Sequence, residues 1–167
     1  MQTKHLVISA LFAAVIFVSI TFFHIPNGLG GVIHFGDGLI FIAAVILPFP
    51  YAIPVAAVGA GLFNLLRVPI WLPFTVVIKP LMTLCFTSKC ETILGESRNL
   101  IAPFVALVIN TGLYFIANWI LFDRYIAIAA VPPLLVQGGG SVIIFFVIAY
   151  ALDRVGLKAR LSKEGIL

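Results

Sequence analysis

Runs of apolar residues, separated by short stretches that carry most of the charges, prolines and glycines, dominate this 167-residue chain. A helix of about 20 apolar residues crosses the hydrocarbon core of a bilayer. Six runs predict such spans, and the second and third are short for a full crossing. Only 10% of the residues are charged, against about 25% in soluble domains. We therefore predict an all-α integral membrane protein, a single six-helix domain over residues 1–167. The predicted spans cover about 6–23, 39–49, 52–66, 71–88, 101–122 and 134–152.

The boundary between the second and third spans is the least certain. Pro48, Pro50 and Pro54 interrupt this region, and proline breaks the hydrogen bonds inside a helix. A short turn at residues 48–51 separates the two spans best. One long kinked helix is the alternative.

The positions of lysine and arginine predict the orientation. With both termini in the cytoplasm, seven basic residues lie inside and two, Arg67 and Arg124, lie outside. Cytoplasmic loops carry the excess of basic residues in membrane proteins, so this orientation is favoured. The seven inside residues are Lys4, Lys89, Arg98, Arg154, Lys158, Arg160 and Lys163.

Polar residues within the spans predict a binding pocket. Lys79 lies eight residues into the fourth span, where a charge is costly and is functional by default. Asn110, Tyr114 and Asn118 share one face of the fifth span because they are four residues apart. Pocket lining and hydrogen bonding between helices both explain that face.

More polar residues lie in the outer half of the proposed topology. Asn64 and Arg67 end the third span, Trp71 begins the fourth, and Gln137 lies early in the sixth. The inner halves of the spans are almost entirely apolar. This asymmetry predicts a pocket open to the outside and sealed toward the cytoplasm, whereas a channel needs polar lining throughout its depth.

The connection between the first two spans, residues 24–37, is long, glycine-rich and external in this topology. Glycine gives the backbone freedom to move, so the segment is predicted to act as a gating loop over the pocket. His34 and Asp37 are both candidates for contact with a ligand. Two such residues without a third do not predict a metal site, and Asp37 is also predicted to cap the second helix.

Several functions are disfavoured by missing motifs. The chain has no Walker motif, so ATP hydrolysis would have to come from partner subunits. The spans contain no acid pair, no serine–histidine arrangement and no metalloprotease motif, so the sequence does not favour a membrane enzyme. We predict no cofactor, no metal and no nucleic-acid partner. Cys85 and Cys90 match neither a disulfide framework nor a zinc motif.

Two stretches resemble a known family. Residues 31–48 (GVIHFGDGLIFIAAVILP) and residues 70–80 (IWLPFTVVIKP) are similar to S components of energy-coupling factor (ECF) transporters, in the riboflavin-type branch. The resemblance extends over nearly the whole chain and implies an S-component-like helix bundle. It also implies that Ala10 and Ala14 match the family's alanine motif for contact with the T component.

The resemblance implies a function as well. S components capture a vitamin or related micronutrient outside a prokaryotic cytoplasmic membrane. They then topple in the membrane together with a transmembrane T component driven by two cytoplasmic ATPases. Riboflavin, a hydroxymethylpyrimidine, pyridoxine and a queuosine precursor remain open as substrates. A self-sufficient secondary transporter is the main alternative, and a membrane enzyme is a weaker one.

Overall fold

The structure is a computed structural model that describes residues 2–26, 28 and 32–163, except for the side chains of residues 2 and 162. Helices dominate it, and one short hairpin interrupts them. In chain order the elements are α1 (Gln2–Phe22), β1 (His24–Pro26), β2 (Val32–His34), α2 (Gly36–Ile46), α3 (Phe49–Arg67), a 3-10 turn (Pro69–Trp71), α4 (Leu72–Thr83), α5 (Ser97–Leu121), α6 (Arg124–Arg154) and α7 (Leu157–Lys163).

Helix α2 lies at the centre of the bundle, with ten of its eleven residues buried. It packs against α1, α3, α4 and α6. Gly38 allows the close approach to α6, because a Cβ atom there would lie 3.0 Å from the backbone oxygen of Ser141. Gly59 does the same between α3 and α1, where a Cβ atom would lie 2.9 Å from Ile16. Small residues at such crossings let helix backbones approach closely.

The helical prediction is confirmed at every predicted span. Four helices, α1, α3, α5 and α6, are long and apolar enough to cross a membrane. Helices α2 and α4 are apolar but shorter, at 11 and 12 residues. The 3-10 turn continues directly into α4 and lengthens that segment. Six crossings therefore stay a prediction.

The second and third spans are separate helices. Leu47 and Pro48 are extended, with ψ angles of 143° and 145°, so the chain turns between α2 and α3. The alternative of one kinked helix is wrong. Pro50 sits in the first turn of α3, where its missing N–H removes no helical hydrogen bond.

Two predicted boundaries are wrong. Helix α4 ends at Thr83 instead of residue 88, and the guanidinium of Arg98 donates to the carbonyl oxygens of Leu84 and Cys85 just beyond it. Helix α6 begins at Arg124 instead of residue 134 and runs through Pro132 and Pro133. Transmembrane helices tolerate proline when neighbouring groups satisfy the freed carbonyls.

The start of α6 has a local cause. The carboxylate of Asp123 accepts hydrogen bonds from the backbone N–H groups of Tyr125 and Ile126, at 2.7 and 2.9 Å. A side-chain cap of this kind satisfies donors that the first helical turn leaves free. The cap places the start of α6 ten residues before the predicted start of the sixth span.

Residues 24–37 contain structure that the sequence did not predict. Strands β1 and β2 pair antiparallel, with His24 opposite His34 and Pro26 opposite Val32. Residues 27 and 29–31, which include two glycines of the predicted gating loop, lie outside the described residues. The described part is a short hairpin between α1 and α2.

The bundle has two distinct ends. The basic end holds the start of α1, the α2–α3 turn, the 84–96 connection and the end of α6. His5 of α1 stacks on Tyr51 of α3 there, with ring centroids 4.9 Å apart. Lys158 donates to the carbonyl oxygen of Ser88 at 2.8 Å, which fixes α7 beside the 84–96 connection. The hairpin end holds the hairpin, the α3–α4 connection and the α5–α6 connection.

Candidate functional site

A cavity lies at the hairpin end and holds about 520 Å³ of space, part of which is open to solvent. Strand β2, helices α3, α5 and α6, and the α3–α4 connection all contribute to its wall. The lining residues are Val32, His34, Asn64, Val68, Trp71, Tyr114, Asn118, Ala130, Leu134 and Gln137.

Two aromatic rings form one wall of the cavity. Trp71 comes from the 3-10 turn and is 6% exposed, and its ring centroid lies 5.8 Å from that of Tyr114. The ring centroid of Phe122 also lies 6.1 Å from that of Trp71. Such packing fixes the orientation of the indole ring. A fixed aromatic wall can stack against a flat ligand.

Carboxamide groups form the polar part of the wall. The amide of Asn118 donates to the backbone oxygen of Tyr114 at 2.8 Å. The amide of Asn64 donates to the hydroxyl of Thr75, which lies 2.7 Å from the hydroxyl of Tyr114. These bonds join α3, α4 and α5 at the depth of the cavity.

A buried ion pair lies beneath the cavity. The ammonium of Lys79 lies 2.8 and 2.9 Å from the two carboxylate oxygens of Asp37, and both side chains are 1% exposed. Lys79 also donates to Asn110 at 2.9 Å and lies 5.2 Å from the ring centroid of Tyr114. Gln137 donates to the Asp37 carboxylate at 2.9 Å. The cluster connects α2, α4, α5 and α6.

His34 lies where the hairpin meets the cavity. Its side chain is 8% exposed, and burial lowers the pKa of the imidazole from 6.5 to about 4. The nearby carboxylate of Asp37 opposes this shift, while Lys79 and His24 add to it. His34 is therefore neutral at physiological pH.

The structure brings six of the predicted site residues to the cavity wall: His34, Asn64, Trp71, Tyr114, Asn118 and Gln137. Three others, Asp37, Lys79 and Asn110, form the cluster beneath it. Arg67 is exposed at the end of α3 and is not part of the described wall. Ala10 and Ala14 are exposed on the outward face of α1.

The predicted role of Asp37 as a helix cap is wrong. The capping position of α2 is Phe35, which makes no side-chain cap. Asp37 lies in the first turn and its carboxylate turns inward to Lys79. The same contact places an acid at the depth of Lys79.

Thr75 is a site residue that sequence reasoning missed. It is 1% exposed and connects Asn64 to Tyr114. Trp71, Thr75 and Lys79 are each four residues apart, so they share one face of the segment that contains α4. That spacing could have identified Thr75.

The comparisons with known proteins agree on the fold. Residues 1–154 match the family model for the ECF-type riboflavin transporter S component. None of the curated proteins matches the chain significantly. A solved structure described as "Structure and mechanism of the S component of a bacterial ECF transporter" shares the fold, with a TM-score of 0.72 and 18% identity. The alignment covers 93% of this chain and 98% of that one.

The family model matches residues 1–154 of the chain. The solved structure shares the fold although its sequence is only 18% identical. The family consists of transporter subunits and not of enzymes, and its members are integral membrane proteins that bind substrate for an ECF transporter. The bundle, the cavity at one end and the apolar helices are all consistent with that role. This chain belongs to the family of ECF-type riboflavin transporter S components.

Proposed function

We propose that this S component captures an uncharged, flat heteroaromatic compound of the riboflavin type from outside the cell. It then delivers the compound by toppling in the membrane with a T component that two ATPases drive. The observation that carries the proposal is the chemistry of the cavity at the hairpin end. Its wall combines two aromatic rings with three carboxamides and bears no net charge.

The aromatic wall supports a flat ligand. Trp71 and Tyr114 present ring surface at the same cavity, and aromatic rings gain stacking energy beyond the burial of their area. Carboxamides beside them suit ring nitrogens, carbonyls and hydroxyls, which fix the orientation of a ligand in a mainly apolar pocket. Riboflavin, the substrate in the family's name, has both features.

The charges support an uncharged ligand. The ammonium of Lys79 is already paired with Asp37 and lies beneath the wall. Among the described lining residues only His34 can carry a charge near neutral pH, and its lowered pKa of about 4 keeps it neutral. Burying an ionised group without a partner is costly. A phosphorylated ligand should therefore bind more weakly than its uncharged parent.

The basic residues support the direction of capture. Arg98, Arg154 and Lys158 lie at the basic end, together with the 84–96 connection that carries Lys89. Basic residues are enriched on the cytoplasmic side of membrane proteins. The cavity would then open to the outside, as the sequence predicts.

The apolar half of the bundle supports the need for a partner. The rings of Phe41, Phe86 and Phe145 pack together, with centroid distances of 5.0, 5.5 and 6.1 Å. All three side chains are at most 5% exposed, and this plug separates the cavity from the basic end. Since a channel needs a polar path, release would require the whole subunit to reorient against a T component.

The proposal is tested by equilibrium binding to the purified chain. Riboflavin, a hydroxymethylpyrimidine, pyridoxine and a queuosine precursor are titrated, and mass spectrometry identifies any ligand that co-purifies. We expect one of them to bind tightly and its phosphorylated form to bind less well. If none binds below about 10 μM, an ordinary weak affinity, the proposal is wrong.

Transport is tested in liposomes. Uptake is expected only when the T component, the two ATPases and ATP are present. Uptake by the chain alone would favour a secondary transporter instead.

A further inference from the structure

The carboxamide of Gln137 has a fixed orientation. Its amide nitrogen lies 2.9 Å from a carboxylate oxygen of Asp37, and an ionised carboxylate can only accept hydrogen bonds. The NH₂ group must therefore face Asp37. The carbonyl oxygen is on the other branch of the planar amide, so it is turned away from Asp37 on a side chain that lines the cavity.

Asn118 is fixed in the same way by a different partner. Its amide nitrogen lies 2.8 Å from the backbone oxygen of Tyr114, and a backbone carbonyl also only accepts. The NH₂ group is thus committed to the helix. The NH₂ group of Asn64 is directed at the hydroxyl of Thr75, but a hydroxyl can donate as well as accept, so this partner does not fix the carboxamide in the same way.

The three carbonyl oxygens are left as acceptors. Among the described residues, none donates a hydrogen bond to the side-chain oxygen of Asn64, Asn118 or Gln137. These side chains are only 9%, 4% and 4% exposed, respectively. The three oxygens are not among the fully buried unpaired atoms of the described residues, so they remain accessible on side chains that line the cavity. A carboxamide oxygen can only accept, so these oxygens suit a ligand that brings donors.

The carboxylate of Asp37 holds the NH₂ group of Gln137 through a charge-assisted hydrogen bond. The ammonium of Lys79 bonds the same carboxylate oxygen, so the ion pair keeps Asp37 ionised and the carboxamide in this orientation.

We propose that Gln137 and Asn118 determine specificity by requiring hydrogen-bond donors on the ligand. The inference rests on the proposed function and deepens it: the substrate class is narrowed to heteroaromatic compounds that present N–H or O–H groups to these two oxygens. A site built to hydrogen-bond a substrate rejects an analogue that lacks the matching group far more strongly than one that lacks a methylene.

The test compares riboflavin with analogues that lose either a donor or an acceptor. Methylation of the imide nitrogen removes an N–H donor, and lumiflavin lacks the hydroxylated side chain. In 5-deazariboflavin a ring nitrogen, which is an acceptor, is replaced by carbon. We expect at least one of the first two to bind about tenfold more weakly or worse, which corresponds to one lost hydrogen bond. 5-Deazariboflavin, which keeps every donor, should bind nearly as well as riboflavin.

Variants separate hydrogen bonding from shape. Gln137→Met and Asn118→Leu keep the side-chain volume but remove the acceptor, so the penalty for a lost donor should shrink in at least one of them. Leu134→Ala is the matched control, because Leu134 lines the same cavity from α6 one turn before Gln137. It should weaken all the compounds equally and leave the penalty unchanged.

Three results would overturn the inference. The first is an acceptor-deleted analogue that loses as much affinity as the donor-deleted ones. The second is that an analogue without a donor loses the same affinity in both variants as it loses in the unchanged protein. The third is that donor-deleted analogues bind the unchanged protein as tightly as riboflavin, a result that does not depend on the folding of a variant.

If riboflavin fails to bind, the analogue pairs are built on whichever of the other three candidates binds. If none of the four binds, the proposed function fails together with this inference.

Discussion

Two asparagines at opposite ends of the bundle use their side chains differently. At the basic end, Asn99 is fully buried, accepts from the backbone N–H of Thr87 at 2.9 Å and donates to the oxygens of Thr87 and Ile93 at 3.1 and 3.2 Å. At the hairpin end, Asn118 uses only its NH₂ group among the described residues. Asn99 uses both its oxygen and its NH₂ group to hold the 84–96 connection together. Asn118 keeps its carbonyl oxygen available as an acceptor for a ligand.

Two aspartates repeat the contrast. Asp153 accepts from the backbone N–H groups of Ile93 and Leu94 at 2.7 and 2.8 Å and thereby fixes the 84–96 connection to α6. Among the residues that the structure describes, the carboxylate of Asp37 bonds only the side chains of Lys79 and Gln137. Side-chain contacts can rearrange without unfolding the backbone. The comparison indicates that the basic end is built for rigidity and the hairpin end for adjustment on binding.

The largest expected effect tests whether the ion pair at the hairpin end is structural. Lys79→Met leaves the buried carboxylate of Asp37 without its counter-ion, which should destabilise the protein by about 3–5 kcal/mol. The double variant Lys79→Met/Asp37→Leu should recover much of that loss. Thermal unfolding in detergent measures both.

Arg67→Met is the control for the ion pair, because Arg67 is an exposed cation. It should change stability little, since exposed charges contribute about 0–1 kcal/mol. A double variant that is less stable than either single one would contradict a structural role for the pair.

The next effect concerns the saturated asparagine. Asn99→Ala leaves the N–H of Thr87 without its side-chain partner and should destabilise the protein by about 1–3 kcal/mol without changing ligand affinity. Asn118→Ala should do the opposite, with weaker binding and a small change in stability. Ligand affinity and unfolding are measured on both variants. If the two variants lose the same affinity and the same stability, the proposed difference between the two ends is wrong.

A smaller effect is expected at the aromatic wall. Trp71→Ala should weaken ligand binding by about tenfold, or roughly 1.4 kcal/mol, because a stacking surface is lost. Trp119 is the matched control, since it is 55% exposed and does not line the cavity. The chain has two tryptophans, so Trp119→Phe leaves Trp71 as the reporter. Its fluorescence should respond to the ligand, and an unchanged signal would exclude Trp71 from contact.

The last effect is the pH dependence of His34, which is small near neutral pH. Its pKa is about 4 in the folded protein and close to 6.5 in an unfolded chain. Between these values the unfolded state binds more protons, so stability is complete above pH 6.5 and falls as pH decreases toward 4. Unfolding midpoints across this range should show less loss for His34→Gln than for the unchanged protein. An identical loss would assign the effect to other groups.

The sequence was sufficient for the helices and for much of the cavity. Apolar length identifies α1 to α6, although not the short α7. The depth of polar residues identifies Asn64, Tyr114, Asn118 and Gln137 as neighbours of one pocket. Asn110, Tyr114 and Asn118 share one face of α5, but only the last two line the cavity. Asn110 lies beneath the wall and bonds Lys79.

The rest depends on tertiary contacts. Asp37 and Lys79 are 42 residues apart, and no local pattern reveals that α2 and α4 pack together at that depth. The early end of α4 depends on Arg98, which lies 13 and 14 residues beyond the carbonyls that it bonds. The hairpin strands are three residues each, too short for a periodicity to appear.

The buried ion pair also bears on how the chain enters the membrane. A translocon that releases α4 alone would place an unpaired ammonium in lipid, at a cost of about 3 kcal/mol. Ribosomal synthesis proceeds from the N-terminus, so α2 with Asp37 emerges before α4 with Lys79. The earlier helix can hold the carboxylate ready as the later one arrives. Biogenesis of this subunit should therefore be ordered, with α2 acting as an insertion partner for α4.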